Sequence, residues 1–187
     1  MKAKAFYLVL DFEANCSGEN TKDHEIIEFP AVLVKTDTHA IIDEFRTFVR
    51  LVKHSKLSDF IKQLTHITDE QVNQGLEWGK CLHEFELWCK KHGLTTSNCA
   101  IVTCGDWDLK TMLPNQLALT KTKLTSYLKE LLSSWTNIKT AFSIAYRTKP
   151  MGMDNMLDYL KLSLGENHEE KTLKSFHLHI CVRWTSS

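Results

Sequence analysis

The sequence lacks a long apolar run, an excess of one charge sign and paired cysteines. It has no stretch of about 18 apolar residues, and no basic N-terminal region precedes an apolar one, so we expect neither a membrane-spanning helix nor a secretory signal. The 23 Lys and Arg balance the 23 Asp and Glu, which excludes a polybasic protein that binds its partner through overall charge. We therefore expect an intracellular protein, cytoplasmic or nuclear, that does not bind membranes.

Glycine and proline are also scarce, with 7 and 3 residues among 187. No linker rich in Gly, Pro or Ser divides the chain and no internal repeat is evident, so we expect one domain with a sizeable core. The six cysteines include no CxxC pair, which argues against a disulfide framework or a structural zinc site. We interpret them as reduced thiols, most of them buried.

Apolar periodicity predicts the secondary structure. Runs rich in β-branched and aromatic residues predict strands at residues 5–9, 26–34, 41–49 and 99–104. Helical spacing of apolar residues predicts helices at residues 81–93, 124–135 and 153–164, the last behind a cap at Asp154. Thr68 and Gln71 have the spacing of a capping box ahead of the first of these helices. The order of elements predicts an α/β fold, a mixed sheet flanked by helices.

Asp11 and Glu13 are the first candidate site residues. They are two apart in a strand pattern, so their side chains leave the same face while Phe12 points to the opposite one. Two neighbouring carboxylates repel each other and lose hydration at the end of an apolar strand, and a divalent cation compensates for both effects. Hard oxygen ligands favour magnesium or manganese over zinc. The alternative is that both carboxylates simply face water.

A second group of candidates lies where residues 99–104 lead into a helix. We expect this helix to begin near Trp107, with Asp106 as its N-cap, and to stop before Pro114. Asp108 can then add a third carboxylate for two metal ions, or it can be a first-turn acid favoured by the helix dipole. Trp107 can stack on a nucleic-acid base or can pack in the core.

The charges are unevenly placed along the chain despite their balance. Residues 10–30 contain six acids and one base, and residues 110–149 contain seven bases and one acid. If both segments flank one cleft, an acidic floor that collects metal faces a basic wall that collects phosphate. The alternative is that both are solvated surfaces. His168 can deprotonate a water molecule, because imidazole titrates near neutral pH, or it can be a surface residue.

Taken together, these motifs resemble the DEDDh 3′-to-5′ exonucleases, which have an RNase H-like fold. More narrowly, the chain is similar to the branch that contains the histone-mRNA and small-RNA-trimming exoribonucleases and the prion-protein-interacting exonuclease relatives. The resemblance covers roughly residues 6–168. It rests on LVLDFEANC at 8–16, EIIEFP at 25–30, LSDF at 57–60, LTHI at 64–67, TCGDWD at 103–108, WTNIK at 135–139 and GMDNML at 152–157.

The resemblance implies hydrolysis of single-stranded RNA from its 3′ end by a mechanism with two Mg²⁺ ions, for which Mn²⁺ can substitute. It implies that Asp11, Glu13 and Asp108 bind the metal ions and that His168 is the general base. It also implies substrate contacts by Trp107, Phe12 and Ala14. RNA specificity would then come from a protein partner or from the single-stranded 3′ end itself.

The chain departs from the family pattern after His168. The family places a fourth carboxylate five residues after this histidine, and here that position is Leu173. We therefore divide the chain into an exonuclease-like domain at 1–168 and a divergent tail at 169–187, with the last helix of the fold atypical or missing. Two hypotheses follow from this departure. The protein is a 3′-to-5′ exoribonuclease, impaired by its C-terminus, or it is a catalytically inactive nuclease-like module that binds RNA or protein.

Overall fold

A six-stranded mixed sheet forms the centre of the protein. The computed structural model describes residues 4–16 and 21–162. The strands are β1 (Phe6–Leu10), β2 (Glu13–Asn15), β3 (Glu25–Lys35), β4 (Ile41–Phe48), β5 (Cys99–Thr103) and β6 (Thr136–Asn137). The α-helices are α1 (Asp59–Thr65), α2 (Asp69–Asn73), α3 (Trp78–Lys91), α4 (Leu113–Thr120), α5 (Ser126–Leu131), α6 (Ile138–Ala145) and α7 (Met153–Tyr159). The α/β class and the mixed sheet predicted from the sequence are confirmed.

Strand pairing places β1 in the middle of the sheet. β1 runs antiparallel to β3 on one side and parallel to β5 on the other, and β6 extends the sheet parallel to β5. β2 continues along the same edge of β3 that β1 uses, while β4 pairs with the opposite edge of β3. Because β1 and β5 are parallel neighbours, the residues that follow their carboxyl ends meet at one edge of the sheet.

The two faces of the sheet carry separate apolar cores. Leu8 and Leu10 point to the face covered by α3, whereas Val9 between them packs with α6 and α7 on the other face. β3 is buried from Glu25 to Val34, as expected for a strand covered on both faces. The alternation within β1 therefore builds a sheet between two layers of helices.

Helix α3 supplies most of the first layer. Its buried side chains recur at helical spacing: Trp78, Cys81, Leu82, Phe85, Glu86 and Cys89. The predicted capping box is confirmed in α2, where the Thr68 hydroxyl accepts from the Gln71 N–H and the Gln71 side chain accepts from the Thr68 N–H. The residues between α2 and α3 are not helical. They include Gly75, where a Cβ would lie 2.7 Å from the backbone of Phe48.

The helix after β5 differs from the prediction, because it does not stop before Pro114. A π-helical turn, Asp108–Met112, leads directly into α4, and the Leu113 N–H donates to the Asp108 carbonyl. Pro114 lies at the junction of the two, in the first turn of α4. Further along, the Gln116 side chain accepts a hydrogen bond from the Ile26 N–H at 3.0 Å and so ties α4 to β3.

One of the two predicted helix caps is wrong. The helix after β5 begins at Trp107, and the Lys110 N–H donates to the Asp106 carbonyl at 2.9 Å, so Asp106 occupies the predicted N-cap position. The Asp106 carboxylate accepts from the Trp135 indole. Gly152, not Asp154, caps α7. Asp154 lies two residues later, in the first turn, where it is still near the positive end of the helix.

Several elements are shorter than the sequence pattern indicates, or were not predicted. Of the helix predicted at 124–135, only α5 (Ser126–Leu131) is helical. Of the helix predicted at 153–164, only α7 (Met153–Tyr159) is helical. The sequence did not predict α1, α6 or the two-residue strand β6. Within the described residues, no helix is both long and apolar enough to cross a membrane. The predicted division at 168/169 and the state of the last helix lie outside the described residues.

Candidate active site

The carboxyl ends of β1 and β5 bring two acidic residues together. Asp11 directly follows β1, and Asp108 begins the π-helical turn that follows β5. Gly105 makes the corner between β5 and this turn at φ 124°, a backbone conformation that a side chain disfavours. Asp108 is 3% exposed, and its Oδ1 accepts a hydrogen bond of 2.9 Å from the backbone N–H of Phe12. Asp108 is therefore held against the backbone between Asp11 and Glu13.

Glu13 lies next to a fourth acidic residue, on β3. It pairs with Glu28 in the β2–β3 ladder, and Glu28 is almost fully buried and forms an ion pair with Arg46. Burial raises the pKa of Glu13 to about 7, and the negative charges of Glu28 and Asp108 add to this effect while Arg46 opposes it. The Arg46 guanidinium therefore offsets only part of the negative charge around Glu13.

The pKa of Asp11 is raised more strongly than that of Glu13. Burial raises the pKa of Asp11 to about 8, with further contributions from the charges of Asp108 and Glu13. Burial also raises the pKa of Asp108, although the hydrogen bond from Phe12 opposes the shift. The charge of Asp108 thus disfavours ionisation of both Asp11 and Glu13, which is an electrostatic situation that a bound cation relieves.

Lys139 is a site residue that the sequence analysis did not single out. Its charge lowers the pKa of Asp11, Asp108 and the Cys104 thiol. Its Nζ lies beside the β5 corner, 3.7 Å from where a Cβ on Gly105 would be. Lys139 lies in the first turn of α6, about thirty residues after Asp108 in sequence. Its proximity to the carboxylates therefore follows only from the parallel pairing of β5 and β6.

The donor chemistry of the site fits a hard divalent cation. Asp11, Glu13 and Asp108 provide carboxylate oxygens, and burial raises the pKa of each, an effect that a bound cation would offset. In residues 4–16 and 21–162, no three His, Cys, Asp or Glu side chains are arranged to hold a metal ion. The three carboxylates are neighbours at one edge of the sheet without forming a complete coordination sphere.

The predicted substrate-binding residues are divided between surface and core. Trp107 is 36% exposed, so it does not pack in the core, and its ring lies 6.2 Å from that of His24. Phe12 and Ala14 are 5% exposed and belong to the core beneath the sheet, where Phe12 makes edge-on contact with Phe29. Phe12 and Ala14 can therefore reach a substrate only through their backbone. His168 lies outside the described residues.

Comparison with protein families identifies the type of site. The exonuclease family model RNase_T matches residues 8–169. Human ERI1 exoribonuclease 3 is 37% identical over 167 residues, which cover 87% of this chain and 48% of that protein. Human ERI1 exoribonuclease 2 is 33% identical over 183 residues, which cover 87% of this chain and 26% of that protein. The chain thus spans about a quarter to a half of the length of these curated relatives.

Solved structures of exonucleases also resemble this chain. The nuclease domain of 3'hExo, a DEDDh family member solved with bound rAMP, has a TM-score of 0.86 and 31% identity, covering 98% of this chain and 92% of that one. A 3'-exonuclease solved in a study of 3'-end-specific recognition of the histone mRNA stem-loop has a TM-score of 0.88 and 28% identity, covering 100% and 84%. DEDDh exonucleases generally use divalent metal ions. The chain belongs to the exonuclease family, and within it to the DEDDh 3′-to-5′ exonucleases with an RNase H-like fold.

Proposed function

We propose that this chain is a 3′-to-5′ exoribonuclease that hydrolyses the 3′ ends of single-stranded RNA with the help of Mg²⁺. The observation that carries the proposal is the convergence of Asp11, Glu13 and Asp108 at the carboxyl ends of β1 and β5, with Asp108 bonded to the Phe12 N–H. The similarity to a nuclease domain solved with rAMP supports an RNA substrate.

Asp11, Glu13 and Asp108 would hold two Mg²⁺ ions, for which Mn²⁺ would substitute. When bound, such ions polarise the scissile phosphate and stabilise the attacking and leaving oxygens. Their positive charge would also allow the three carboxylates to ionise together, against the burial that raises the pKa of each and the neighbouring negative charges that add to it at Asp11 and Glu13.

The remaining side chains would bind and orient the RNA. The ammonium group of Lys139, beside the carboxylates, would attract the phosphate from the side of α6. The exposed Trp107 would stack on the base of the 3′ nucleotide, and the backbone at Phe12 and Ala14 would line its sugar. His168, within the family match, would take the proton from the attacking water.

The substrate and any partner are further parts of the proposal. One structurally similar protein was solved in a study of recognition of a histone mRNA stem-loop, and several relatives are named exoribonucleases. We propose single-stranded 3′ ends of RNA as the substrate class, with a separate protein or RNA element directing the enzyme to its targets. We also propose that this enzyme acts within the cytoplasm or nucleus, where such RNA is found.

A second candidate function is an inactive nuclease-like module that binds RNA or protein. One observation favours it: Leu173 occupies the position where the family pattern has its fourth carboxylate. On this hypothesis the protein would still bind RNA but would not shorten it.

Digestion of a 5′-labelled single-stranded RNA in Mg²⁺ separates the two functions. The exoribonuclease proposal predicts a ladder of products that shorten from the 3′ end. The matched control is an Asp11→Ala plus Glu13→Ala double variant, which should give no ladder. Intact RNA with a folded, monodisperse wild-type protein would overturn the exoribonuclease proposal and favour the binding module, whose RNA affinity can be measured on the same sample.

A further inference from the structure

An open groove runs from the edge of the carboxylate site along helix α6. Its volume is about 660 Å³, within the range of about 300 to 1,000 Å³ that is usual for ligand pockets. The groove is lined by Asp106, Trp135, Thr136, Asn137, Thr140, Ala141, Ile144 and Ala145. It begins at the carboxyl end of β6, which is parallel to β5, so its mouth lies at the same sheet edge as Asp108.

The wall of the groove combines a fixed aromatic ring with an exposed aliphatic side chain. The Trp135 Nε1 donates to Asp106 Oδ1 at 2.9 Å, which holds the indole at the mouth of the groove. Ile144 is 73% exposed although it belongs to a short helix whose Ile138 and Phe142 are buried. An isolated exposed isoleucine needs no explanation, but here it lines a groove together with Trp135.

The segment that forms most of the groove carries only positive charges. No acidic residue occurs between Glu130 and Asp154, whereas Lys139, Arg147 and Lys149 lie in this segment. Asp106, at the mouth of the groove, is acidic, and its carboxylate accepts the hydrogen bond from Trp135. Arg147 and Lys149 are exposed beyond the C-terminal end of α6, and Lys139 is at its beginning beside the carboxylates. Cations therefore stand at both ends of the groove.

We propose that this groove binds the single-stranded RNA on the 5′ side of the scissile phosphate, with one base against Trp135 and Ile144 and the phosphates near Lys139 and Arg147. The proposal rests on the proposed exoribonuclease function and adds the path by which the substrate enters the site. Aromatic and aliphatic contacts beneath the bases together with cations along the backbone are the combination that binds single strands without sequence preference.

RNA suits this groove better than a protein segment for two reasons. The cations flanking it complement a polyanion, and the mouth of the groove lies at the same sheet edge as the carboxylates. A bound protein segment would compete with RNA at this edge. A protein partner would bind the groove mainly through its apolar wall, so its binding would depend weakly on salt, whereas RNA binding should weaken steeply as salt rises.

Binding measurements with RNAs of two lengths test the proposal. In an Asp11→Asn background, which keeps the RNA intact, a dinucleotide and a hexanucleotide are titrated by fluorescence anisotropy. Ile144→Asp should weaken hexanucleotide binding about ten-fold or more and affect the dinucleotide much less, because it removes apolar contact and adds negative charge. The control Leu87→Asp changes another exposed apolar residue, 49% exposed on α3, and should change neither affinity.

The outcomes distinguish this proposal from the proposed function. Equal affinities of the Ile144→Asp and Leu87→Asp proteins for the hexanucleotide would overturn the groove proposal even if the wild type is an active nuclease. If the wild type cuts no RNA, the proposed function fails, but the same titrations still test whether RNA occupies the groove. A selective loss of binding with little salt dependence would also contradict the proposal, since it would indicate an apolar rather than a polyanionic occupant.

A cross-linking experiment locates the RNA directly. The hexanucleotide carries 5-iodouridine at its third or fourth position from the 3′ end, and the complex is irradiated and digested for mass spectrometry. We expect the cross-link on the tryptic peptide that contains Trp135. Cross-links confined to peptides outside residues 130–147 would overturn the proposed path.

Discussion

The backbone N–H of Phe12 donates to Oδ1 of Asp108 at 2.9 Å, although 96 residues separate them in sequence. This bond joins the peptide between Asp11 and Glu13 to the helical turn after β5. The two parts of the site, the DFE motif at 11–13 and the WD motif at 107–108, are thus joined by a direct hydrogen bond. This bond fixes the position of the third carboxylate.

Replacing Asp108 by asparagine or alanine isolates the contribution of this bond. Asparagine keeps an oxygen that accepts from the Phe12 N–H and removes the negative charge near Asp11, whereas alanine leaves the buried N–H without its acceptor. We expect Asp108→Ala to be less stable than Asp108→Asn by about 1 to 3 kcal/mol. Urea unfolding followed by tryptophan fluorescence measures the difference. Equal stabilities of the two variants would contradict a structural role for the bond.

Asp11→Asn should make the metal-free protein less sensitive to pH. The folded-state pKa of Asp11 is raised to about 8 from an ordinary value near 4, so the folded protein holds this proton more tightly than the unfolded chain. The resulting stability is present below pH 4 and is lost as pH rises to about 8. The wild type without metal should therefore melt at a lower temperature than the variant at pH 8, and the gap should narrow at pH 5 and close below pH 4.

Added Mg²⁺ should reverse this order. A cation that binds the ionised carboxylates stabilises the folded wild type by mass action, and Asp11→Asn should lose most of that gain. Thermal melts at pH 8 with millimolar Mg²⁺ or with EDTA provide the comparison. A wild type whose melting temperature does not change with Mg²⁺ would count against both the metal site and catalysis.

Lys139→Met should weaken RNA binding and slow cleavage. The variant keeps the length of the side chain but removes the charge that lies beside Asp11 and Asp108. We expect RNA affinity to fall by about ten-fold at low salt, with a smaller dependence of affinity on salt concentration. Lys35→Met is the matched control, since Lys35 pairs with Phe6 at the opposite end of β1. If Lys139→Met and Lys35→Met reduced RNA affinity equally, Lys139 would contribute no more to RNA binding than a lysine far from the carboxylates.

Asp43→Asn should lower stability at neutral pH. Asp43 accepts hydrogen bonds from Trp88 Nε1 at 3.1 Å, Lys91 Nζ at 3.2 Å and His92 Nε2 at 2.7 Å, which ties β4 to the end of α3. The bond from His92, followed by that from the Glu44 N–H, lowers the pKa of Asp43. The stability from this ionised carboxylate is present above pH 4 and is lost as pH falls further.

Asp43→Asn should lower the free energy of unfolding by about 1 kcal/mol at pH 7. The effect is this small because the carboxylate is partly exposed and solvent screens its charge. The difference from wild type should shrink at pH 3 and below. Urea unfolding at both pH values measures it, with Asp158→Asn on the exposed side of α7 as a control that should stay near wild type. A difference between Asp43→Asn and wild type that is the same at pH 7 and pH 3 would show that ionisation of Asp43 does not contribute.

Local sequence patterns were sufficient for four of the six strands, β1, β3, β4 and β5, and for the acids that follow β1 and β5. β1 and β5 are short apolar runs with acids just beyond their ends, so Asp11 and Asp108 could be chosen without knowing how the strands pair. α3 was equally clear, because its buried residues repeat at helical spacing over 14 residues. These elements depend on interactions between neighbours in sequence, which periodicity reports directly.

The features that were missed depend on tertiary contacts. α1 and α6 have 7 and 8 residues, too short for periodicity to separate them from loops. Lys139 belongs to the site only because β6 pairs with β5. Pro114 was expected to end a helix, but the π-helical turn before it carries the chain into α4 without a break.

The π-helical turn at Asp108–Met112 restricts how many residues the chain can have between Asp108 and Gln116. A π turn holds more residues than an α turn. This turn separates two residues that each bond to the sheet region: Asp108 bonds to Phe12, between β1 and β2, and Gln116 bonds to Ile26 on β3. Removing one residue here would restore an ordinary helix and rotate Gln116 about 100° around the axis relative to Asp108. Side chains on the outer face of this turn can vary, but the spacing of eight positions between Asp108 and Gln116 cannot. Insertions and deletions should therefore be far more damaging in this segment than substitutions.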